Sequence, residues 1–202
     1  MSDDFRSLGR GLQEAEAVKR RNAWVGIDVG LDGAIAAIID DEPPLIFEMP
    51  TDTIKSGTAK KPIKRRVLNG FKVRRILQEI QVQVAEMYVL IERAQLRPAL
   101  RRDAATGEVK VNQGVASQAM FMEQFGLLRG ILIGLGIPHE DCHPASWKAD
   151  VFRGASDKTD ARAKAAALFP SIADRFARVK DDGNAEAALI ADYGRRRHSA
   201  PF

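Results

Sequence analysis

Four carboxylates in this 202-residue chain lie where strands and helices are expected to begin or end, namely Asp28, Glu92, Asp182 and Glu186. Carboxylate oxygens are hard ligands that suit Mg²⁺ or Mn²⁺ rather than zinc. Four such acids brought together would repel one another without divalent cations. A metal-binding cluster is therefore the first hypothesis for the chemistry of this chain.

Asp28 lies in the stretch AWVGIDVGLDGAIAAIIDD, where an apolar run reaches this acid and a turn with Gly30 and Gly33 precedes a second apolar run. The pattern predicts a hairpin whose first strand is buried. A charge among Val25 and Ile27 costs several kcal/mol unless it is paired or binds a metal. The alternative is that Asp28 ends the strand and caps the turn, as Asp often does.

Glu92 repeats this design, because the apolar segment YVLIE also ends in an acid. In KDDGNAEAALIA, Asp182 and Glu186 are four residues apart and share one helix face, with Asp181 in reserve. Each has an ordinary explanation. Asp182 could cap the helix, and Glu186 could be a solvent-facing acid in the first turn that the helix dipole stabilises. Their agreement with Asp28 favours the metal site.

The elements that must position these acids follow from periodicity and from turn residues. After the hairpin, the pattern predicts a strand at Pro44–Met49, a loop at Thr51–Gly70, a helix at Phe71–Met87, a strand at Tyr88–Glu92, a long loop at Arg93–Gly114, a helix at Val115–Gly136, a strand at Ile137–His143 and helices at Ser146–Phe152, 157–169, 172–179 and 184–197. Ser156 or Asp157 is the expected cap of the helix at 157–169.

This order predicts an α/β fold with a five-stranded mixed sheet, strand order 3-2-1-4-5, and helices on both faces. Sequential strands pair antiparallel, and strands reached through helices run parallel by right-handed crossovers. Strands 1 and 4 are then neighbours, so Asp28 and Glu92 meet at the carboxyl ends of the strands. We expect a tail or short appended helix at residues 1–22, one domain at 23–197 and a tail at 198–202.

Basic residues are concentrated in two segments, although the net charge is only +4. Residues 60–75 carry eight of them and no acid, and four arginines follow between 93 and 102. Such segments beside an acidic site suggest binding of a polyanion such as DNA, although charge runs are often solvated loops. The candidate DNA-binding residues are Lys60, Lys61, Lys64, Arg65, Arg66, Lys72, Arg74, Arg75, Arg93, Arg97, Arg101 and Arg102.

The remaining composition is that of a globular domain, with 45% hydrophobic and 29% charged residues. No apolar run approaches the roughly 18 residues of a membrane span, and the N-terminus lacks an apolar signal segment, so we expect a cytoplasmic protein. The single cysteine, Cys142, excludes an internal disulfide and is expected to be a packed thiol.

Several phrases in order resemble the RuvC-type Holliday junction resolvases of the ribonuclease H-like superfamily, in particular their phage-type branch. They are VGIDVGLDGAIAAI, VLIERAQ, GVASQAMFMEQFGLLRGILIGLGIP, HPASWK, DKTDARAKAAALFP and DDGNAEAALIADYG. The resemblance runs from about Ala23 to Gly194. The cellular enzymes space their last two site residues three apart, whereas Asp182 and Glu186 are four apart, so the choice between Asp181 and Asp182 stays open.

The resemblance implies a ribonuclease H-like fold and a homodimer that cuts a four-way DNA junction symmetrically with two Mg²⁺ or Mn²⁺ ions per site. Asp28 would bridge both ions, with Glu92 on one side and Asp182 and Glu186 on the other. Lys148 and Lys158 would contact the DNA backbone. The helix at 115–136, with glycines at 126, 130 and 134, would form the dimer contact.

Two other functions fit parts of the pattern. VGIDVGLDGAIA also resembles the phosphate-binding hairpin of sugar kinases and actin-like ATPases, but those proteins use two such domains and this sequence has one such hairpin. The second is a junction-binding or scaffolding protein of the same fold that does not cleave. The four acids argue against it.

Overall fold

The computed structural model describes residues 21–58, 61–95, 100–102, 106–111, 115–153 and 160–198. The strands are β1 (Asn22–Asp28), β2 (Ala34–Ile39), β3 (Leu45–Glu48), β4 (Thr51–Thr58), β5 (Lys61–Leu68), β6 (Glu86–Glu92), β7 (Leu100–Arg102), β8 (Val109–Val111) and β9 (His139–Cys142). The helices are α1 (Gly70–Gln81), α2 (Val115–Gly134), α3 (Pro144–Val151), α4 (Ala161–Leu168) and α5 (Asp182–His198). Two 3₁₀ segments, Pro170–Phe176 and Val179–Asp181, lie between α4 and α5.

The central sheet is mixed and five-stranded, in the order β3-β2-β1-β6-β9. β1 pairs antiparallel with β2, and β2 with β3, while β1 pairs parallel with β6 and β6 with β9. The mixed α/β class and the five-stranded sheet are thus confirmed. The predicted strand order is not complete, because it omitted four strands that form two separate two-stranded sheets, β4-β5 and β7-β8.

The prediction of loops at residues 51–70 and 93–114 was wrong, because each segment contains one of these hairpins. Residues 51–70 contain the β4-β5 hairpin, and residues 93–114 contain the shorter β7-β8 hairpin. Neither pair has the apolar alternation of a strand that covers a core. A two-stranded ribbon pairs its backbone groups internally and can form from polar residues, so hydrophobic periodicity did not detect it.

Helix boundaries also differ from the predictions. The predicted helix 71–87 ends at Gln81, because Glu86 and Met87 pair with Asn22 and Ala23 and belong to β6. The helix predicted at 157–169 begins at Ala161. Its cap is Asp160, whose side chain accepts a hydrogen bond from the Ala163 amide at 2.7 Å. Ser156 and Asp157 lie outside the described residues, as do residues 1–20 of the predicted tail.

The stretch predicted as a helix at 172–179 is instead the 3₁₀ segment Pro170–Phe176, with a non-helical backbone at Ile172. The last helix starts at Asp182, two residues earlier than predicted, and continues to His198. None of the described helices is long and apolar enough to cross a membrane.

Two apolar cores lie on opposite faces of the sheet, which confirms helices on both sides. One joins Ile27 of β1 to residues of α1 and α2 such as Leu77 and Leu132. The other joins Leu90 of β6 to the buried residues of α3, α4 and α5, including Trp147. All six residues of β2 are buried, which explains its uninterrupted apolar sequence.

Candidate metal centre

β1 positions Asp28 at the carboxyl end of the central strand of the sheet. The turn that follows must pass close to this residue, since a Cβ on Gly33 would lie 2.2 Å from the Asp28 carbonyl oxygen. Only glycine fits there, which accounts for the glycine-rich sequence of the turn. Gly30, with φ of 148°, adopts a backbone conformation that also favours glycine. The turn therefore serves to bring the chain back past the carboxylate.

β6 positions Glu92 beside Asp28. The parallel register of β1 and β6 pairs Ile27 with Ile91, so the next residue of each strand is an acid. Both side chains lie where the two strands end, as predicted for ligands of a parallel sheet.

α5 brings the third carboxylate, Glu186. This helix lies directly on β1, because a Cβ on Gly26 would lie 2.2 Å from the Ala187 carbonyl oxygen. At the start of the helix, a Cβ on Gly183 would lie 2.2 Å from the Asp32 carbonyl oxygen. Close backbone contact at both glycines therefore holds the first turns of α5 against β1 and its turn.

Asp28, Glu92 and Glu186 form a cluster in which one oxygen from each carboxylate lies within 4.8 Å of the others. Two ligands on one Mg²⁺ or Ca²⁺ ion, each 2.0–2.6 Å from it, are at most about 5 Å apart, so this spacing allows the three carboxylates to share a hard cation. Burial raises the pKa of Asp28 well above its usual range, and the charges of Glu92 and Glu186 raise it further. A cation would relieve this repulsion.

Asp182, the fourth predicted ligand, is not one of these three converging carboxylates. Its exposed side chain forms an ion pair with Arg162, with Nε and Oδ1 3.2 Å apart. Its charge nonetheless contributes to the raised pKa of Asp28. Asp182 therefore lies beside the cluster, with its carboxylate directed to a basic side chain of α4.

Asp181, the reserve ligand, has a different role. Its side chain is 1% exposed and accepts hydrogen bonds from the backbone amide and the guanidinium of Arg178. These bonds from Arg178 lower the pKa of Asp181. The residue caps the 3₁₀ segment that leads into α5. Of the two alternatives, Asp182 is the one whose charge acts on Asp28.

Two adjacent residues of α3 contact the cluster. The indole Nε1 of Trp147 donates a hydrogen bond to Glu92 Oε1 at 2.9 Å. The Lys148 Nζ lies 2.7 Å from Glu186 Oε1. Lys148 was expected to contact DNA, whereas Lys158 lies outside the described residues.

The contact of Trp147 was missed in the sequence. The only sign available was a tryptophan next to a lysine in HPASWK, and nothing there shows that the indole reaches a residue 55 positions earlier.

The basic residues predicted to bind DNA lie partly around the β4-β5 hairpin. Arg66 ties this hairpin to the turn beside Asp28, since its guanidinium pairs with Asp32 at 2.6 Å and also donates to the Leu31 carbonyl. Lys72 pairs with Asp52 and Arg75 with Glu79. Exposed side chains are found at Lys64, Arg65, Arg74 and Arg93. Lys61, Arg101 and Arg102 lie on β5 and β7, and Lys60 and Arg97 lie outside the described residues.

Cys142 ends β9 and is buried, as expected for a packed thiol. Burial raises the pKa of this thiol to about 12. The group stays protonated at neutral pH and is not a nucleophile.

No protein-family model matches the chain, and no curated protein matches it. The structure is similar to that of RuvC from Thermus thermophilus, with 11% identity, a TM-score of 0.46 and coverage of 89% of this chain and 98% of that one. It is also similar to T. thermophilus RuvC in complex with a Holliday junction substrate, with 11% identity, a TM-score of 0.40 and coverage of 90% and 98%.

Proposed function

We propose that this protein is a metal-dependent endonuclease that resolves four-way DNA junctions by paired symmetric nicks. The observation that carries the proposal is the convergence of Asp28, Glu92 and Glu186 within 4.8 Å, from two parallel strands and a helix. The sequence segments that resemble RuvC-type resolvases, in particular the phage-type branch of this ribonuclease H-like superfamily, suggest the reaction and the substrate.

The cluster would hold Mg²⁺ or Mn²⁺, two ions per site. Such ions activate a water for in-line attack on a phosphodiester and stabilise the leaving oxygen. Asp28, Glu92 and Glu186 would hold these ions, and Asp182 would join them as a fourth ligand. Because Asp182 is paired with Arg162, its participation requires a rotation of its side chain away from that guanidinium.

The DNA would be held by the basic residues around the site. Arg66 links the β4-β5 hairpin to the turn at Asp32, and Lys64 and Arg65 lie on the same strand with exposed side chains. Phosphates of the junction arms would bind there and at Arg93, next to Glu92. Electrostatic binding of this kind is independent of base sequence.

Paired nicks require two sites, and the proposed homodimer supplies them through α2. One side of this helix is exposed: among the described residues, a Cβ placed on Gly126, Gly130 or Gly134 would meet nothing within 4 Å beyond the backbone of its own helix. Leu127 and Ile133, on the same helix, are 42% and 66% exposed. A second copy packing on this face would bury apolar area that is accessible in the single chain.

The experiment is a comparison of a synthetic four-way junction with linear duplexes of the same sequences, each incubated with the protein and Mg²⁺. The proposal predicts symmetric nicks in the junction and much slower cutting of the duplexes. Equal cutting of both would contradict junction selectivity. Junction binding without any cutting would favour the non-cleaving scaffold instead.

A further inference from the structure

Two consecutive residues of α3 contact the acidic cluster. One is a neutral hydrogen-bond donor and the other is a cation. Trp147 donates a hydrogen bond to Glu92, and Lys148 places a positive charge on Glu186. The two carboxylates come from different elements, β6 and α5. A single short helix therefore touches two of the three clustered acids.

Trp147 is held rigidly. Its side chain is fully buried among the residues between the sheet and α5, and it packs against Phe152 with ring centroids 6.5 Å apart. A buried indole cannot rotate without opening this core. Its N–H therefore fixes the position of one oxygen of Glu92.

Lys148 is held less firmly. Its side chain is 42% exposed, and its ammonium lies 5.0 Å from the centre of the Trp147 ring. The ammonium also opposes the increase in the pKa of Asp28. This cation therefore neutralises part of the cluster, and a long side chain at the surface can swing away into solvent.

We propose that α3 sets the divalent-cation affinity of the cluster through these two residues in opposite directions. Trp147 is a positioning residue that holds Glu92 in ligand geometry. Lys148 is a tethered cation that an incoming divalent ion must displace from Glu186. The inference rests on the proposed metal centre and adds a control of its affinity.

The test is calorimetric titration of the DNA-free protein with MnCl₂ and MgCl₂. Trp147→Phe keeps an aromatic ring but removes the N–H, and we expect roughly tenfold weaker binding or more, as for other partners that orient metal ligands. Lys148→Met keeps roughly the length of the side chain but removes the charge, and we expect about tenfold tighter binding, since a neighbouring charge changes the proton affinity of a carboxylate by a similar factor or more. Lys148→Arg keeps the positive charge, so its cation affinity should stay close to that of the wild type.

The chain offers a matched control in Trp24, whose Nε1 is buried and forms no hydrogen bond within the described residues. It lies four residues before Asp28 on β1, about 13 Å along the strand. Trp24→Phe should leave cation affinity unchanged. In this variant all tryptophan fluorescence comes from Trp147, and its emission should change on titration with Mg²⁺ as Lys148 leaves the ring.

The outcomes separate the inference from the function on which it rests. Wild-type protein that binds neither ion overturns the metal centre and the inference together. Wild-type binding with unchanged affinity in Trp147→Phe, or with unchanged or weaker binding in Lys148→Met, overturns the inference alone. If Trp147→Phe does not fold, as judged by circular dichroism, the Lys148→Met and Lys148→Arg pair still decides the competition with the cation.

Discussion

The carbonyl oxygen of Ala187 occupies the space that a side chain on Gly26 would need, 2.2 Å from the position of a Cβ. The backbone nitrogen of Ala191 lies 2.4 Å from the same position. α5 therefore rests directly on the backbone of β1. This contact brings Glu186 of the helix to Asp28 of the strand, so the packing of one glycine and the geometry of the acidic cluster are linked.

Gly26→Ala should therefore push α5 away from β1. We expect the free energy of unfolding to fall by about 3 kcal/mol or more, since overpacking against backbone atoms cannot be relieved by a side-chain rotation. Urea unfolding followed by circular dichroism measures this change. Gly194→Ala on the same helix is the control, because its Cβ would meet the flexible end of the Leu90 side chain at 2.9 Å and should cost much less. Equal losses in the two variants would contradict this account.

The metal-free protein should lose stability as the pH rises because of Asp28. The folded state keeps the Asp28 proton to a higher pH than the unfolded chain does, since burial and the nearby carboxylates raise its pKa. Its contribution to stability is therefore complete below the ordinary Asp pKa of about 3.9 and is lost as the pH rises through the raised value. Asp28→Asn removes this dependence, so in EDTA the variant should be more stable than wild type at pH 7 and similar to it near pH 4.

Urea unfolding between pH 4 and pH 8, with EDTA and again with Mg²⁺, measures this difference. Saturating Mg²⁺ should reverse the order at pH 7, because the ion binds the folded wild type. A difference between wild type and Asp28→Asn that stays constant across the pH range would refute the role given to the cluster.

The basic hairpin should control the salt dependence of DNA binding. Replacing Lys64 and Arg65 by Gln should weaken junction binding and reduce the slope of log K against log salt by about 0.9 for each phosphate that the variant no longer neutralises. Fluorescence anisotropy at several salt concentrations measures the slope. Arg21→Gln, at a residue that pairs with Asp40 at the other end of β1, is the control and should leave it unchanged. An unaltered slope in the hairpin variant would show that Lys64 and Arg65 do not bind DNA phosphates.

The exposed glycines of α2 should form the contact between two copies. Gly130→Glu places a charge on this face without a clash, because in the described part of the chain nothing beyond the backbone of its own helix lies within 4 Å of its Cβ position. We expect the mass measured by light scattering to fall from that of a dimer to that of a monomer. Val82→Glu, at a site that is 77% exposed on another part of the surface, should not change it. Gly130→Glu protein that keeps the dimer mass would exclude this contact.

Asp28 and Glu92 could be predicted from the sequence because both follow apolar strands. Once the crossover rule makes those strands neighbours, the two acids must meet. Glu186 followed from its position on the last helix. Asp182 shares its face by spacing, yet it is the first residue of α5 and its carboxylate reaches Arg162 on α4. The spacing of acids along one helix does not reveal that a basic residue on another helix, here Arg162, lies within ion-pair distance of Asp182.

The two hairpins and the contacts of α3 could not be predicted in the same way. β4 and β5 are held by pairing with each other, and their polar sequence carries no burial pattern. Trp147 reaches Glu92 only because the tertiary fold places α3 beside β6. Such contacts depend on tertiary packing, which local periodicity does not encode.

The most direct test of the account uses Asp28→Asn with a labelled four-way junction and Mg²⁺, and measures binding and cleavage in the same samples. Asp41→Asn is the control, since this acid is 99% exposed beyond the opposite end of β1. We predict that Asp28→Asn binds the junction with an affinity close to that of wild type and cuts it at least a hundredfold more slowly, roughly the loss expected when a group that stabilises the transition state is removed, whereas Asp41→Asn cuts normally. Wild-type cleavage rates in Asp28→Asn would contradict the assignment of Asp28, and with it the metal centre.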